Sequence, residues 1–202
     1  MVTGSALILA GGRGSRLGYD KKKLELEGEP VLAGLITKLG ALFSEILVSS
    51  NEPVDHAGVL VLKDQIGKGP LAGIYQGLKV CRSEYLYVLA CDMPFISLAY
   101  IRYMQDLIHL KPVDACVARR GDGLYEPFNS FFNQSCSEPI YEALVRHEYK
   151  ISPLLDRLNL QIIDAADAQR FNQGDMFFNI NYQADLELAQ SKVHSRAQGS
   201  GS

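Results

Sequence analysis

Ala6-Leu7-Ile8-Leu9-Ala10-Gly11-Gly12-Arg13-Gly14-Ser15-Arg16-Leu17-Gly18 decides the reading of this 202-residue chain. Ala6 to Leu9 form a short apolar run, as a strand buried on both faces requires. The run passes directly into Gly11, Gly12 and Gly14. Without side chains the backbone there can turn sharply and aim several N–H groups at one anion. Arg13, Arg16 and Lys21 add cations around the same turn. A strand tip carrying glycines and cations is a place to hold a polyphosphate.

Two better-known glycine loops do not fit. The phosphate loop of many ATPases ends in Gly-Lys-Ser/Thr, which is absent here. The dinucleotide fingerprint is closer, since Gly12-Arg13-Gly14 followed by Gly18 is a loose version of it. That reading needs a helix directly after the glycines and an acid closing the second strand. Instead Tyr19-Asp20-Lys21-Lys22-Lys23 follows, then Leu24-Glu25-Leu26-Glu27-Gly28-Glu29-Pro30. The next apolar run, 45–50, ends in Asn51 and only then Glu52.

The length suits one domain with a well-buried core. The predicted domain spans 1–194, with a polar, flexible tail at 195–202. A hydrophobic share of 47% and a charged share of 21% are ordinary for a globular protein. The net charge of −3 argues against general affinity for nucleic acid or an acidic membrane. Any anion site is therefore local. Neither a membrane-length apolar run nor a charged leader with a long apolar stretch is present, which reads as a cytoplasmic chain. Cys81, Cys91, Cys116 and Cys136 have no Cys-x-x-Cys spacing. Buried free thiols are the reading, ahead of zinc ligands or disulfides.

Short apolar runs alternate with helical patterns over the first 120 residues. Pro30 opens a helix striped with Val31, Leu32, Leu35, Ile36, Leu39 and Leu42. Strands follow near 45–50 and 58–62, and Pro70 starts a helix carrying Leu71, Ile74, Leu78 and Val80. A strand at 85–90 precedes Cys91-Asp92-Met93-Pro94, and a helix over 98–110 leads into a strand at 114–118. A strand around 128–132, helices near 135–147 and 151–158, a strand at 160–163 and a helix over 182–192 complete the pattern. This alternation predicts an α/β fold: a single Rossmann-like three-layer domain with a mainly parallel central sheet. Ligands of such sheets bind at the carboxyl ends of the strands. There the polar candidates are the glycine loop, Asn51, Asp64 and Asp92.

Leu9-Ala10-Gly11-Gly12-Arg13-Gly14-Ser15-Arg16-Leu17-Gly18, Asp20-Lys21-x-x-Leu24 and Gly28-x-Pro30 resemble the signature of the nucleotidyltransferases that move NMP from an NTP to a phosphate acceptor. Within that family the chain looks most like the molybdenum cofactor guanylyltransferase branch. The further segments are Ser49-Ser50-Asn51, Gly69-Pro70-Leu71-Ala72-Gly73-Ile74, Cys91-Asp92-Met93-Pro94, and Phe178-Asn179-Ile180-Asn181 with Asp185-Leu186. The resemblance covers residues 6 to about 190. It implies a nucleotide-diphospho-sugar-transferase-like fold. It also implies GMP transfer from GTP to the phosphate of the molybdenum–molybdopterin cofactor, with release of pyrophosphate.

The resemblance assigns roles residue by residue. Leu9, Ala10, Gly11 and Gly12 would wrap the nucleotide through backbone groups, and Arg16 and Lys21 would neutralise the triphosphate. Asp92 would hold Mg2+, since one carboxylate plus substrate phosphates is a usual magnesium set. Asn51 and Asp64 would contact guanine and ribose, and a carboxylate at 64 can accept from guanine's donors. Asn179 and Asn181 sit two apart in an extended segment, so both face one way; they would clamp the acceptor. GTP, the molybdopterin cofactor and cofactor-delivery proteins are the implied partners.

Some features depart from the pattern or compete with it. Asn129, in Leu124-Tyr125-Glu126-Pro127-Phe128-Asn129, stands where relatives usually carry an apolar residue. Lys150 and Arg157 lie where relatives hold acceptor-binding cations. The rival readings are cytidylyl transfer to the same cofactor, a sugar-phosphate nucleotidyltransferase, and a non-catalytic nucleotide sensor. Ala-Gly-Gly in the loop, where the cytidylyl branch reads Ala-Ala-Gly, favours guanine.

Overall fold

The computed structural model describes residues 3–11, 24–63, 66–171 and 175–199. The opening apolar run is strand β1 (Ser5–Leu9), buried along its whole length. A tight hairpin of β2 (Glu25–Leu26) and β3 (Glu29–Pro30) follows, turning at Glu27 and Gly28, which both have positive φ (52° and 81°). Periodicity could not show strands this short. Pro30 closes β3, and helix α1 (Val31–Gly40) begins one residue later than predicted. Proline's fixed φ serves either position.

The alternation then proceeds as β4 (Glu45–Ser49), β5 (Val59–Leu62), α2 (Pro70–Val80), β6 (Tyr85–Ala90) and α3 (Leu98–Leu110). Next come β7 (Ala115–Arg119), β8 (Tyr125–Asn133), α4 (Ser137–Val145) and α5 (Ser152–Leu155). The chain continues through β9 (Leu160–Asp164), α6 (Ala165–Gln169) and α7 (Gln183–Gly199). The short α6 has no counterpart in the periodicity reading, and α7 runs through most of the segment read from composition as a tail.

Seven strands form one sheet in the order β5-β4-β1-β6-β8-β7-β9. Its pairs are parallel except those of β8, which runs antiparallel to both β6 and β7. The mainly parallel α/β sheet is as predicted.

Strand residues alternate faces with period two, and two apolar layers result. Ala6, Ile8, Ile46, Val48, Tyr87 and Leu89 pack with the stripes of α1 and α3 on one face. Leu7, Leu9, Leu47, Leu86 and Val88 pack with α2, α4 and α5 on the other. Helices on both sides explain why the parallel strands read as unbroken apolar runs. Helix α2 lies close on β1 because two of its residues lack side chains. A Cβ at Gly73 would meet Leu9 Cδ2 and Ser49 Oγ at 2.7 Å, and one at Gly77 would meet Leu86 Cδ2 at 2.7 Å. Val80, placed on the α2 stripe from sequence, is exposed instead, at the helix's last turn.

All four cysteines are free and buried, as read from their spacing. Burial pushes the Cys116 and Cys136 thiols up to about 12, so they stay protonated and unreactive. Among the described residues no helix is long and apolar enough to cross a membrane.

Candidate active site

Register brings the site together. Leu9 of β1 pairs with Ser49 of β4 on one side and with Ala90 of β6 on the other. The residues just beyond these three therefore emerge side by side, across about 10 Å given the ordinary strand spacing. Backbone bonds carry the alignment past the strand ends: Ala10 N donates to Ser49 O (2.9 Å) and Cys91 N donates to Leu9 O (3.1 Å). Gly11, Asn51 and Asp92 follow at once in the chain.

Asn51 and Asp92 are each set by a turn of their own. Ser50 Oγ donates to Glu52 O (2.8 Å) and accepts from Glu52 N (3.2 Å), which folds the chain tightly around Asn51. Such serine turns are a local alternative to strand pairing. Asp92 sits in the turn that ends β6, where Met93 N donates to Ala90 O (3.1 Å). Its carbonyl accepts from Ile180 N at 2.9 Å. The Asn-x-Asn segment thus lies directly against the Asp92 turn.

That segment is held from several directions. Phe178 N donates to Asp175 O (2.7 Å), Asn179 Nδ2 donates to Phe177 O (3.0 Å), and Asp175 is ion-paired with Lys192 of α7. The Asp185 carboxylate accepts from Asn181 N (2.9 Å) and Tyr182 N (2.8 Å), fixing the entry into α7. Phe177 and Phe178 pack on Tyr100 and Phe95.

Between these turns lies a cavity of about 510 Å³, within the ordinary range for a small-molecule site. Leu9, Gly11, Asn51, Asp92, Asn179 and Asn181 all line it. Ala10 is adjacent but points its methyl into the core. Gly12, Arg16, Lys21 and Asp64 lie outside the described residues, so their placement is not part of this geometry. Lys150 and Arg157 do not line the cavity, and Arg157 is paired with Glu148 (3.2 Å).

Sequence reasoning passed over two contributors. Lys68 is the one cation lining the cavity among the described residues, and its ammonium lies 5.2 Å from the centre of the Tyr149 ring. It stands just before Gly69-Pro70, where α2 begins, so the positive end of that helix opens onto the same space. A lysine directly before a Gly-Pro helix start was the signal available. Phe128 is the other, turned into the cavity from β8.

Two residues earlier in β8, Glu126 is a buried carboxyl whose pKa is raised to about 7. Burial is the main cause; the Asp92 charge raises it further, while Arg120 and a bond from the Phe128 backbone oppose. Among the described residues no group of three or more His, Cys, Asp or Glu could cage a metal. A single cavity-facing carboxylate fits a magnesium ion that takes its remaining ligands from phosphates and water.

A cavity at the carboxyl edge of a mainly parallel sheet, with a helix start, a lysine and a carboxylate around it, is the arrangement at which α/β proteins bind nucleotides. Residues 6–162 match the model of the MobA-like NTP transferase domain, and the chain belongs to that family. The probable molybdenum cofactor guanylyltransferase of Peptoclostridium acidaminophilum is 38% identical over 192 residues, covering 91% of this chain and 86% of that protein. The molybdenum cofactor guanylyltransferase of Syntrophotalea carbinolica is 39% identical over 191 residues, covering 93% and 90%.

Among solved structures, molybdopterin-guanine dinucleotide biosynthesis protein A from Archaeoglobus fulgidus superposes with a TM-score of 0.84 at 22% identity, covering 95% of this chain and 99% of that one. The 2-C-methyl-D-erythritol 4-phosphate cytidylyltransferase of Thermus thermophilus superposes at 0.67 and 15% identity, covering 93% and 98%. These last two are likenesses of fold.

Proposed function

We propose that this protein transfers GMP from GTP to the terminal phosphate of the molybdenum–molybdopterin cofactor, releasing pyrophosphate. One observation carries the reading. The ends of β1, β4 and β6 and the Asn179–Asn181 segment line a single cavity, which gives a nucleotide side and an acceptor side across one carboxylate. The relatives named as molybdenum cofactor guanylyltransferases match over nearly the whole chain and support the choice of both substrates.

An acceptor phosphate oxygen attacks the α-phosphorus of GTP. A new P–O bond forms, the bond from the α-phosphorus to the α,β-bridging oxygen breaks, and pyrophosphate leaves with that electron pair. Little covalent work falls to the protein, so positioning and charge neutralisation carry the rate. The backbone from Leu9 to Gly12 orients the nucleotide, and Asn51 and Asp64 would contact guanine and ribose. Lys68, the start of α2, Arg16 and Lys21 offset the triphosphate charge. Asn179 and Asn181 hold the acceptor. Asp92 is the residue that would hold Mg2+, which when bound offsets charge on the phosphates as the leaving group departs.

The test is turnover by the purified protein with magnesium and molybdopterin cofactor, run in parallel with GTP and CTP and followed by pyrophosphate release. GTP should be strongly preferred, because a site built on guanine's donors leaves polar groups unpaired with the wrong base. Equal rates, or turnover with CTP alone, would overturn the guanylyl assignment.

A further inference from the structure

Asn129 breaks the pattern of its strand in sequence, and the structure shows where the break leads. Along β7 the pairing moves from Cys116 to Ala118 while along β8 it moves from Phe131 to Glu126. The extra β8 residues form a bulge beside the cavity. Bulges at such places re-aim side chains, and here Phe128 turns to the cavity while Asn129 turns inward.

Asn129 is fully buried and has φ +58°, a left-handed conformation that asparagine tolerates better than apolar residues do. A buried amide is costly unless it is hydrogen-bonded, and both ends of this one are. Oδ1 accepts from Tyr87 Oη at 2.6 Å, and Nδ2 donates to Met176 O at 3.3 Å. Tyr87 belongs to β6, the strand that ends at the Asp92 turn. Met176 lies three residues before Asn179, and Ile180 N in turn donates to Asp92 O. A closed circuit results: β6 to Asn129, Asn129 to the Asn-x-Asn segment, and that segment back to the end of β6.

We propose that Asn129 is a positioning residue for the acceptor, its amide bridging Tyr87 and Met176 so that Asn179 and Asn181 are held at a fixed place across the cavity from the nucleotide strands. The proposal rests on the guanylyl-transfer reading for its kinetic part only. A purely structural amide would lower stability and affect both substrates alike. A positioning amide acts on one side of the cavity.

Asn129→Gly is the sharpest variant, because glycine accepts the positive φ while both hydrogen bonds are lost. With both substrates varied, its KM for molybdopterin cofactor should rise about tenfold, the order expected when one hydrogen bond's worth of ordering is lost. Its KM for GTP should stay within about twofold of the parent. Hydrogen exchange followed by mass spectrometry should show faster exchange in peptides spanning 175–182 and unchanged exchange in those of β1 and β4.

Tyr87→Phe keeps the ring in the core and removes one bond, so it should shift the same quantities in the same direction by less. It serves in place of Asn129→Gly should that variant fail to fold. Parallel movement of both KM values, or exchange in 175–182 equal to the parent protein, would overturn the proposal. Should the parent protein fail to use molybdopterin cofactor, the functional reading falls, and the exchange experiment alone decides whether Asn129 holds the segment.

Discussion

The two halves of the sheet meet at Asp92 and are built in opposite ways. On one side β5, β4, β1 and β6 are parallel and in regular register, and the ends of β4, β1 and β6 pass straight into the cavity. On the other side β8 runs antiparallel, bulges, and carries a buried asparagine at positive φ. The residues proposed to hold the acceptor come from a segment nearly fifty positions later, tied back through Asn129 and Asp92. The parallel half is placed by local sequence and simple geometry. The irregular half is placed by long-range hydrogen bonds, and its polar groups must be satisfied one by one. A change in the first half should therefore act through packing, and a change in the second through loss of alignment.

The largest effect should come at the seam. Asp92→Ala should lower guanylyl transfer about 100-fold or more, by analogy with removing one electrostatic stabiliser of a transition state. The melting temperature should change little, since the backbone bonds that hold the turn, Met93 N to Ala90 O and Ile180 N to Asp92 O, are kept by alanine. Near-normal turnover in a folded variant would mean that the two halves do not meet at this residue.

Next is the pH response of the irregular half. The folded pKa of Glu126 is about 7 against an ordinary 4.5, so the native state binds more protons than the unfolded chain between those values. Its contribution is fully present below pH 4.5 and is lost as pH rises through 7. Denaturant unfolding of the metal-free protein should show stability falling over that window by about 3 kcal/mol relative to Glu126→Gln. Asp92 and Arg120, the charged groups that act on Glu126, are kept in both proteins. Parallel pH profiles for the two would show that Glu126 does not titrate in this range.

The smallest effect belongs to the regular half. At Gly73→Ala the new methyl would lie 2.7 Å from Leu9 Cδ2 and Ser49 Oγ, both ends of side chains that can shift. Thermal or urea unfolding should show a loss of about 1 kcal/mol, at the low end for overpacking. KM for GTP should rise several-fold while KM for the acceptor stays, the mirror image of Asn129→Gly. An acceptor-side shift instead would erase the distinction between the halves.

Much of this organisation was legible before any coordinates. Alternating apolar runs, Pro70 at a helix start and polar residues after strands place Gly11, Asn51 and Asp92 together, because parallel strands in register must release their loops on one edge. The Asn179–Asn181 pair was legible as a pattern, but its meeting with Asp92 through Ile180 was not. Lys68 went unread because its one local signal, the Gly69-Pro70 helix start that follows, does not say that the lysine faces the cavity. Asn129 was visible only as an oddity, since a bulge is a mismatch between two strands and one strand's sequence cannot display it.

The sequence by itself determined the α/β class, the buried free cysteines, the strand ends that line the cavity and the family resemblance. These rest on period, composition and short motifs, which are local in the chain. Only the tertiary structure decided that β8 is antiparallel and bulged, that Lys68 faces the cavity, and that Asn129 links β6 to the segment carrying Asn179 and Asn181. The Asn129 bonds join residues more than forty positions apart, the bulge is a mismatch between two strands, and neither exists until the sheet has formed.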